Sequence, residues 1–295
     1  MRGGIVTAVV VLAMAWGLAL AQAQPVVTFQ DVGLASPESV LYDAQADIYL
    51  VSNTNGQPPN DDNGFISKLS PDGKVLDLKW IDGADPGVEL NGPKGLTLSG
   101  DTLYVADIDT VRMFDLATGE PRGQVKIEGA TFLNDMAAGP DGSVYTTDTG
   151  VNAQFQPAGT DAIYRITPDG KVETVIKSTD LAAPNGLLVL DSGALFVVSI
   201  APGGLVYKVV DGKQQDVRHL DVERFDGVVA LPDGDMLISS WGASSVVRLS
   251  PDGQVTTIVE GVQSPADIGL DTKRNRLLVP SSMTNQVLVY QLPAQ

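Results

Sequence analysis

A repeated pattern of short strands constrains this chain more than any other feature of its sequence. Each strand is followed by a turn and a second strand, and most units continue with a third and fourth strand and a PDG or DG turn. Four short strands in a unit of about 40 to 45 residues are typical of propeller blades. The sequence therefore predicts an all-β, six-bladed β-propeller with four-stranded blades. The six segments that begin the units are PESVLYD from 37, PKGLTLS from 93, LNDMAAG from 133, PNGLLVL from 184, FDGVVAL from 225 and PADIGLD from 265.

The last unit contains only three strands, the third of which runs from Val287 to Leu292. A strand at Val26 to Phe29 can supply the fourth, so we expect the two ends of the chain to pair and close the ring. An open sandwich of the same strands is the alternative, but it does not explain a sixfold repeat. The 31 glycines and 18 prolines fit a fold with many turns.

The first 23 residues have the features of a secretory signal peptide. Arg2 gives a basic start, Ile5 to Leu20 an apolar core, and Ala21-Gln22-Ala23 a small-residue cleavage site. A membrane anchor is the alternative, although the apolar core is short and no basic flank follows it. The chain has no cysteine and therefore no disulfide. We expect a periplasmic or secreted protein whose single propeller domain spans residues 24–295.

The charge balance argues against several classes of partner. The chain has 36 acidic and 19 basic side chains, for a net charge of −17 at pH 7. Such a surface repels nucleic acid and anionic membranes and attracts cations. No stretch after residue 23 is long and apolar enough to insert into a bilayer. The expected partner is a small-molecule substrate, bound by a monomer.

Polar residues at the start of the first strands predict a ring in the central channel, because the first strand of every blade lines that channel. Two carboxylates and two amides in this ring offer hard oxygen ligands, which suit Ca²⁺ or Mg²⁺ and not zinc or copper. The alternative is that these side chains only cap backbone groups where the strands converge. The residues alone leave both interpretations open. The six predicted members of the ring are Glu38, Lys94, Asn134, Asn185, Asp226 and Ala266.

The motifs PES from 37, LND from 133, PNGL from 184 and FDG from 225 resemble those of a known family. It is the senescence marker protein, gluconolactonase and luciferin-regenerating enzyme-like family of six-bladed propellers, and the resemblance covers nearly all of the chain after residue 23. It implies a divalent cation, commonly calcium, held by Glu38, Asn185 and Asp226. Asn134 would bind either the metal or a substrate held on it. Many members of the family are lactonases or related esterases.

The resemblance implies metal-assisted hydrolysis of a lactone or small ester. Asp226 is the expected general base toward water, and the alternative makes it the nucleophile. Lys94 departs from a simple hydrolase ring. It can stabilise the oxyanion, attract an anionic substrate, neutralise surplus carboxylate, or pair with Glu38 or Asp226 in place of the metal. In that last case the alternative function is a non-catalytic propeller that binds a small ligand or a protein.

The loops between second and third strands lie on the face where the first strands begin. Two of them are long, and each either covers the channel mouth as a lid or is simply a mobile surface loop: Asn53 to Gly64 and Asp148 to Asp161. Trp241 and Asp107 lie in equivalent loops and are candidate substrate-binding residues. The only histidine, His219, falls in the predicted outermost strand of the fourth blade. This position argues against a mechanism that uses a histidine base.

Overall fold

The computed structural model describes residues 23–56 and 61–293. These residues form six four-stranded antiparallel sheets, and the first strands of neighbouring sheets contact one another around a central channel. The structure confirms the predicted six-bladed, all-β propeller. The predicted signal peptide falls almost entirely on residues 1–22, outside the described residues.

The chain begins its first strand, β1, at Pro25 and ends it at Phe29, and it then forms five blades whose four strands follow one another in sequence. In chain order, the strands of blades 1 to 5 are β2 (Pro37–Asp43), β3 (Ile48–Asn53), β4 (Phe65–Leu69), β5 (Val75–Asp82), β6 (Pro93–Ser99), β7 (Thr102–Asp107), β8 (Thr110–Asp115), β9 (Pro121–Lys126), β10 (Leu133–Ala138), β11 (Val144–Asp148), β12 (Ala162–Ile166), β13 (Val172–Lys177), β14 (Pro184–Val189), β15 (Leu195–Ser199), β16 (Leu205–Val210), β17 (Lys213–His219), β18 (Phe225–Ala230), β19 (Met236–Ser240), β20 (Ser245–Leu249) and β21 (Val255–Glu260).

Blade 6 joins the two ends of the chain. Its inner three strands are β22 (Gly269–Asp271), β23 (Arg276–Ser281) and β24 (Gln286–Gln291), and β1 pairs antiparallel with β24 as the outermost strand. Phe29 lies opposite Val287 and is fully buried. The predicted closure by the N-terminal strand is therefore confirmed.

The apolar core lies between the blades. Six clusters of buried side chains each join two neighbouring blades. Between blades 1 and 2, for example, Leu50 and Ile66 pack with Leu96 and Val105. Full burial of one such side chain stabilises the fold by about 1.5–3 kcal/mol. Apolar contacts between blades thus hold the ring together and leave the start of each first strand free to carry polar side chains.

Regular helix is almost absent from the described residues. Two single-turn 3-10 helices occur, at Thr179–Leu181 and Ser282–Thr284. Within residues 23–56 and 61–293, no helix has the length and apolar character needed to cross a membrane. The remaining connections are turns and loops, as the glycine and proline content predicts.

Candidate active site in the central channel

The polar residues of the channel lie where each first strand interrupts its pairing with the second. In blade 3 the register shifts between Leu133 and Met136, and equivalent shifts occur in blades 1, 2, 4 and 5. A bulge of this kind removes residues from the ladder and redirects their side chains. In blade 3 those residues are Asn134 and Asp135. This local geometry explains why residues that strands tend to exclude occur at the start of one.

All members of the predicted ring are buried, and the charged ones act on one another. Burial raises the pKa of Glu38 well above its usual range, and the nearby charge of Asp226 raises it further. Burial also raises the pKa of Asp226, while hydrogen bonding from Trp241 and Asn185 and the charge of Lys94 lower it. The ring therefore brings residues of blades 1, 2, 4 and 5 together in one low-dielectric space. Its buried members are Glu38, Lys94, Asn134, Asn185, Asp226 and Ala266.

Three of these side chains have a buried oxygen without a hydrogen-bond partner among the described residues: Glu38 Oε2, Asn185 Oδ1 and Asp226 Oδ1. Only two other buried side-chain polar atoms in that part of the chain, on Ser245 and Arg276, share this condition. An unpaired buried acceptor costs about 1–3 kcal/mol, and such atoms are rare in folded proteins. Three of them in one ring form a set of donors that suits a hard cation.

The composition of this set indicates which cation fits. Glu38 and Asp226 supply two carboxylates and Asn185 an amide oxygen, a mixture that calcium accepts and zinc does not favour. Across residues 23–56 and 61–293, no group of three or more His, Cys, Asp or Glu side chains is arranged to hold a metal. Asn134 occupies the equivalent position in blade 3, and its amide is fixed because its Nδ2 donates to Thr149 Oγ1 at 3.0 Å. These residues fit the cation that the resemblance implies.

Lys94 lies at the ring without an ionic partner. Its Nζ donates to Gly92 O at 3.3 Å and is 4.1 Å from the centroid of the Phe132 ring. Within the described residues, no carboxylate comes within 4.0 Å of this ammonium. Burial lowers the pKa of Lys94, while the charges of the surrounding carboxylates raise it. The ammonium thus retains free N–H donors and does not pair with Glu38 or Asp226.

A second ring lies one residue further along the chain in each blade. Neighbouring backbones touch at this level: a Cβ atom on Gly227 would lie 2.5 Å from Asp267 Cα, and one on Gly95 would lie 2.5 Å from Asp135 Cα. Ser39 and Asp267 also form a parallel bridge between blades 1 and 6. The second ring therefore carries the backbone contacts between first strands. Its members are Ser39, Gly95, Asp135, Gly186, Gly227 and Asp267.

The carboxylates of the two acids in the second ring accept hydrogen bonds from neighbouring groups. Asp135 accepts hydrogen bonds from Leu187 N at 2.7 Å and from its neighbour Met136 N at 2.6 Å, and Asp267 accepts one from Ser39 Oγ at 2.5 Å. Burial raises the pKa of Asp267 to about 7, although hydrogen bonds with Ser39 and Asp135 lower it. Sequence reasoning missed this carboxyl pair. The signal was available, because glycine, serine or aspartate follows the first-ring position in every blade.

The channel contains a cavity of about 280 Å³ further along the same strands. Asp135 and Asp267 contribute to its lining, together with apolar side chains that include Val40, Leu187 and Val228. The acids of the second ring thus stand between the polar first ring and this largely apolar cavity.

The remaining predicted residues differ in their surroundings. Trp241 is 38% exposed, and its side chain lies close enough to Asp226 to lower the pKa of that carboxyl, which places it at the first ring. Asp107 is buried, accepts from Gly92 N at 2.8 Å and pairs with Arg112 Nε at 2.9 Å. These contacts hold the loop before β6, so its binding of substrate stays a prediction without structural support. His219 ends the outermost strand β17, as expected.

The fold and the first ring define a six-bladed propeller whose channel presents unpaired oxygens to a ligand. Residues 66–283 match the family model described as SMP-30/Gluconolactonase/LRE-like region. Because the match covers well over half of the chain, the protein belongs to this family. The family resemblance inferred from the four motifs is confirmed.

Known proteins similar to this chain include gluconolactonases. A gluconolactonase from Zymomonas mobilis subsp. mobilis is 25% identical over 178 residues, which are 58% of this chain and 39% of that protein. The structure of a gluconolactonase from Xanthomonas campestris is 21% identical, with a TM-score of 0.68, and the match covers 88% of this chain and 87% of that chain. At this identity the likeness shows the fold alone.

A lyase shares the same fold. The structure of a catalytically inactive histidine-to-alanine variant of virginiamycin B lyase from Staphylococcus aureus is 14% identical to this chain, with a TM-score of 0.60. The match covers 90% of this chain and 98% of that chain, and it too shows only the fold. The two neighbours have different activities, so the fold alone does not select a reaction.

Proposed function

We propose that this protein is an exported, metal-dependent hydrolase of lactones or small esters, with Ca²⁺ or another divalent cation such as Mg²⁺ in the central channel. The observation that carries the proposal is the set of three buried, unpaired oxygens on Glu38, Asn185 and Asp226. Membership of the gluconolactonase-like family supports a lactonase-type hydrolase at the level of the family. The charge of −17 is consistent with a site that takes a cation and a small substrate.

Glu38, Asn185 and Asp226 would hold the cation, with Asn134 at its side. When bound, the cation supplies Lewis-acid polarisation of the substrate carbonyl. Asp226 acts as the general base: it takes a proton from water as the water oxygen bonds to the carbonyl carbon. The ring C–O bond then breaks, and the proton passes to the leaving oxygen. Trp241 and Asn185 lower the pKa of Asp226, which favours the carboxylate form that this transfer requires.

Lys94 stabilises the oxyanion that forms on the carbonyl oxygen. Its ammonium is buried at the ring, and only the carbonyl of Gly92 accepts a hydrogen bond from it, at 3.3 Å. A donor that is already in place in a water-poor site contributes more than the same donor in solvent. The absence of an ion pair to Glu38 or Asp226 within the described residues favours this role over the alternative in which Lys94 replaces the metal.

Hydrolysis fits these residues better than chemistry that depends on a histidine in the channel. Replacement of a histidine inactivates the structurally similar virginiamycin B lyase. In this chain the single histidine, His219, is exposed at the rim of blade 4, where its Nδ1 lies 2.9 Å from Gly203 O. Carboxylates and an ammonium are the titratable groups at the first ring.

Calorimetric titration of Ca²⁺ into the chelator-stripped protein tests the proposal. We expect one Ca²⁺ per chain for the wild type, no binding for Asp226→Ala, and unchanged binding for Asp191→Ala, which removes an exposed aspartate from a turn. Wild type and Asp191→Ala should hydrolyse members of a lactone panel, and Asp226→Ala should not. Addition of EDTA should stop the hydrolysis. Hydrolysis that is insensitive to chelation would refute the metal-dependent mechanism. Absence of both binding and hydrolysis would favour a non-catalytic binding propeller.

The role of Asp226 can be tested separately. A single turnover in ¹⁸O-labelled water should place the label in the product acid if Asp226 is the base. If Asp226 is the nucleophile, its attack releases the alkoxide of the ring and forms a mixed anhydride, and the label enters the protein when water attacks Cγ of Asp226 in that anhydride. Label found by mass spectrometry on Asp226 after one turnover therefore identifies the nucleophilic route.

A further inference from the structure

The loop between β11 and β12 carries an exposed aromatic residue in an unusual backbone conformation. Phe155 is 56% exposed, and its φ of +57° lies in the left-handed region. Bulky side chains rarely adopt this region, and such strain is concentrated at functional sites. The loop lies on the face where the first strands begin, which is the mouth of the channel.

A compact turn imposes this conformation. Asn152 Oδ1 accepts hydrogen bonds from Gln154 N at 2.9 Å and Gln156 N at 3.0 Å, and Asn152 O accepts one from Phe155 N at 2.9 Å. These bonds fix the backbone on both sides of Phe155. The phenyl ring is therefore presented by a structured turn, with little conformational entropy left to lose when it binds a ligand.

Aromatic contacts connect this turn to the candidate active site. The ring of Phe155 meets that of Phe132 edge to face, with centroids 5.6 Å apart and an interplanar angle of 64°. Phe132 is buried, and its ring contacts the ammonium of Lys94 at 4.1 Å. On blade 5, Trp241 is partly exposed and lies close enough to Asp226 to lower the pKa of that carboxyl. Aromatic surface thus reaches the first ring from two sides.

Half of the large exposed hydrophobic residues lie on this face. Three of the six large exposed ones in the described residues, Phe155, Trp241 and Met283, lie on loops between second and third strands. Phe155 and Trp241 are the aromatic members of the six. Rings presented in this way bind apolar or aromatic groups, whereas a substrate covered with hydroxyls requires directed hydrogen-bonding groups.

We propose that Phe155, together with Phe132 and Trp241, binds an aromatic ring on the substrate, so that the natural substrate is an aryl-bearing lactone or ester and not a polyhydroxylated sugar lactone. Asn152 is a positioning residue that holds Phe155 in place. The inference rests on the proposed function, because it names the substrate class of the same site.

Two lactones with the same six-membered ring test the inference: dihydrocoumarin, which carries a fused aromatic ring, and glucono-δ-lactone, which carries hydroxyls. We expect the wild-type kcat/KM to be at least tenfold higher for dihydrocoumarin. Phe155→Asn should raise KM for dihydrocoumarin about tenfold more than KM for glucono-δ-lactone, and it should keep or raise Tm because asparagine tolerates a positive φ. Val217→Ala, which trims an exposed side chain on the outer strand β17, should change none of these values.

A higher kcat/KM for glucono-δ-lactone, or an equal effect of Phe155→Asn on both lactones, would overturn the inference and leave the proposed hydrolysis intact. If neither lactone is hydrolysed, the proposed function fails, and calorimetric binding of dihydrocoumarin decides the inference. Binding to the wild type that weakens about tenfold in Phe155→Asn would support an aromatic-binding mouth. No binding to the wild type would refute it.

Discussion

The two adjacent rings in the channel differ in the hydrogen bonding of their buried carboxylates. In the first ring, Glu38 and Asp226 each keep one buried oxygen without a partner in the described part of the chain. In the second ring, Asp135 and Asp267 accept hydrogen bonds from Leu187 N and Ser39 Oγ. Burial raises the pKa of all four acids. Both rings are buried, so the hydrogen-bond partners of their carboxylates distinguish them. The first ring has oxygens available to a ligand, and the second ring stabilises the fold.

The packing of the second ring should show the largest effect on stability. A Cβ atom at Gly227 would lie 2.5 Å from both Asp267 Cα and Ile268 N, and backbone atoms cannot move aside as a flexible side chain can. We expect Gly227→Ala to lower the free energy of unfolding by about 3 kcal/mol, measured by urea denaturation. Gly87→Ala, at an open position with φ +87°, should lower it by only about 1 kcal/mol. Equal losses would show that the second ring is not closely packed.

The ammonium of Lys94 in the first ring should affect catalysis and not the binding of Ca²⁺. We expect Lys94→Met to lower kcat roughly 100-fold, or about 2.7 kcal/mol of transition-state stabilisation, because the oxyanion loses a donor. Ca²⁺ affinity, measured by calorimetry, should be unchanged or higher, since a buried positive charge is removed. Lys94→Arg keeps the charge and should retain part of the activity. Loss of Ca²⁺ binding in Lys94→Met would contradict the assigned role.

Removing one acid from each ring sharpens the comparison. At a Ca²⁺ concentration 100-fold above Kd, wild-type protein should gain about 2.7 kcal/mol of stability over the metal-free protein. Glu38→Gln should abolish this gain and should be no less stable than wild type in EDTA, because it removes an unpaired buried carboxylate. Asp267→Asn should keep the gain. Thermal unfolding with and without Ca²⁺ measures all three, and a full Ca²⁺ response in Glu38→Gln would exclude it as a ligand.

The sequence was sufficient to predict the elements that follow from local repetition. Strand periodicity and turn residues predicted six blades, and the missing strand of the last unit predicted that Val26 to Phe29 pairs with the chain end, as β1 does with β24. The same alignment of repeats identified Glu38, Asn185 and Asp226, the side chains with unpaired oxygens. Equivalent positions in a cyclic fold must share an environment, so a repeat reveals a ring without any knowledge of distances.

Features that depend on contacts between distant residues could not be predicted in this way. The hydrogen bond from Ser39 to Asp267 joins residues 228 positions apart, and its partner cannot be inferred from either neighbourhood. Asp107 was predicted to lie in a loop and to bind substrate, but it is the last residue of β7, and its carboxylate accepts hydrogen bonds from Arg112 Nε and Gly92 N. The left-handed φ of Phe155 also left no trace in the residue type.

The smallest expected difference between the rings is the pH dependence of stability in the metal-free protein. The pKa of Asp267 is about 7 in the folded protein, against an ordinary value of 3.8. Between these values the folded state keeps a proton that the unfolded state has lost, so the stability present below about pH 4 falls as the pH rises toward 7.

Asp267→Asn removes this titration. Relative to the variant, EDTA-treated wild type should lose on the order of 2 kcal/mol between pH 5 and pH 7 and little more above pH 8, measured by urea denaturation. The charge of Asp267 also raises the pKa of Glu38 and Asp226, so the difference between the two curves reports Asp267 together with its effect on the first ring. Parallel curves would contradict the raised pKa of Asp267 in the folded protein.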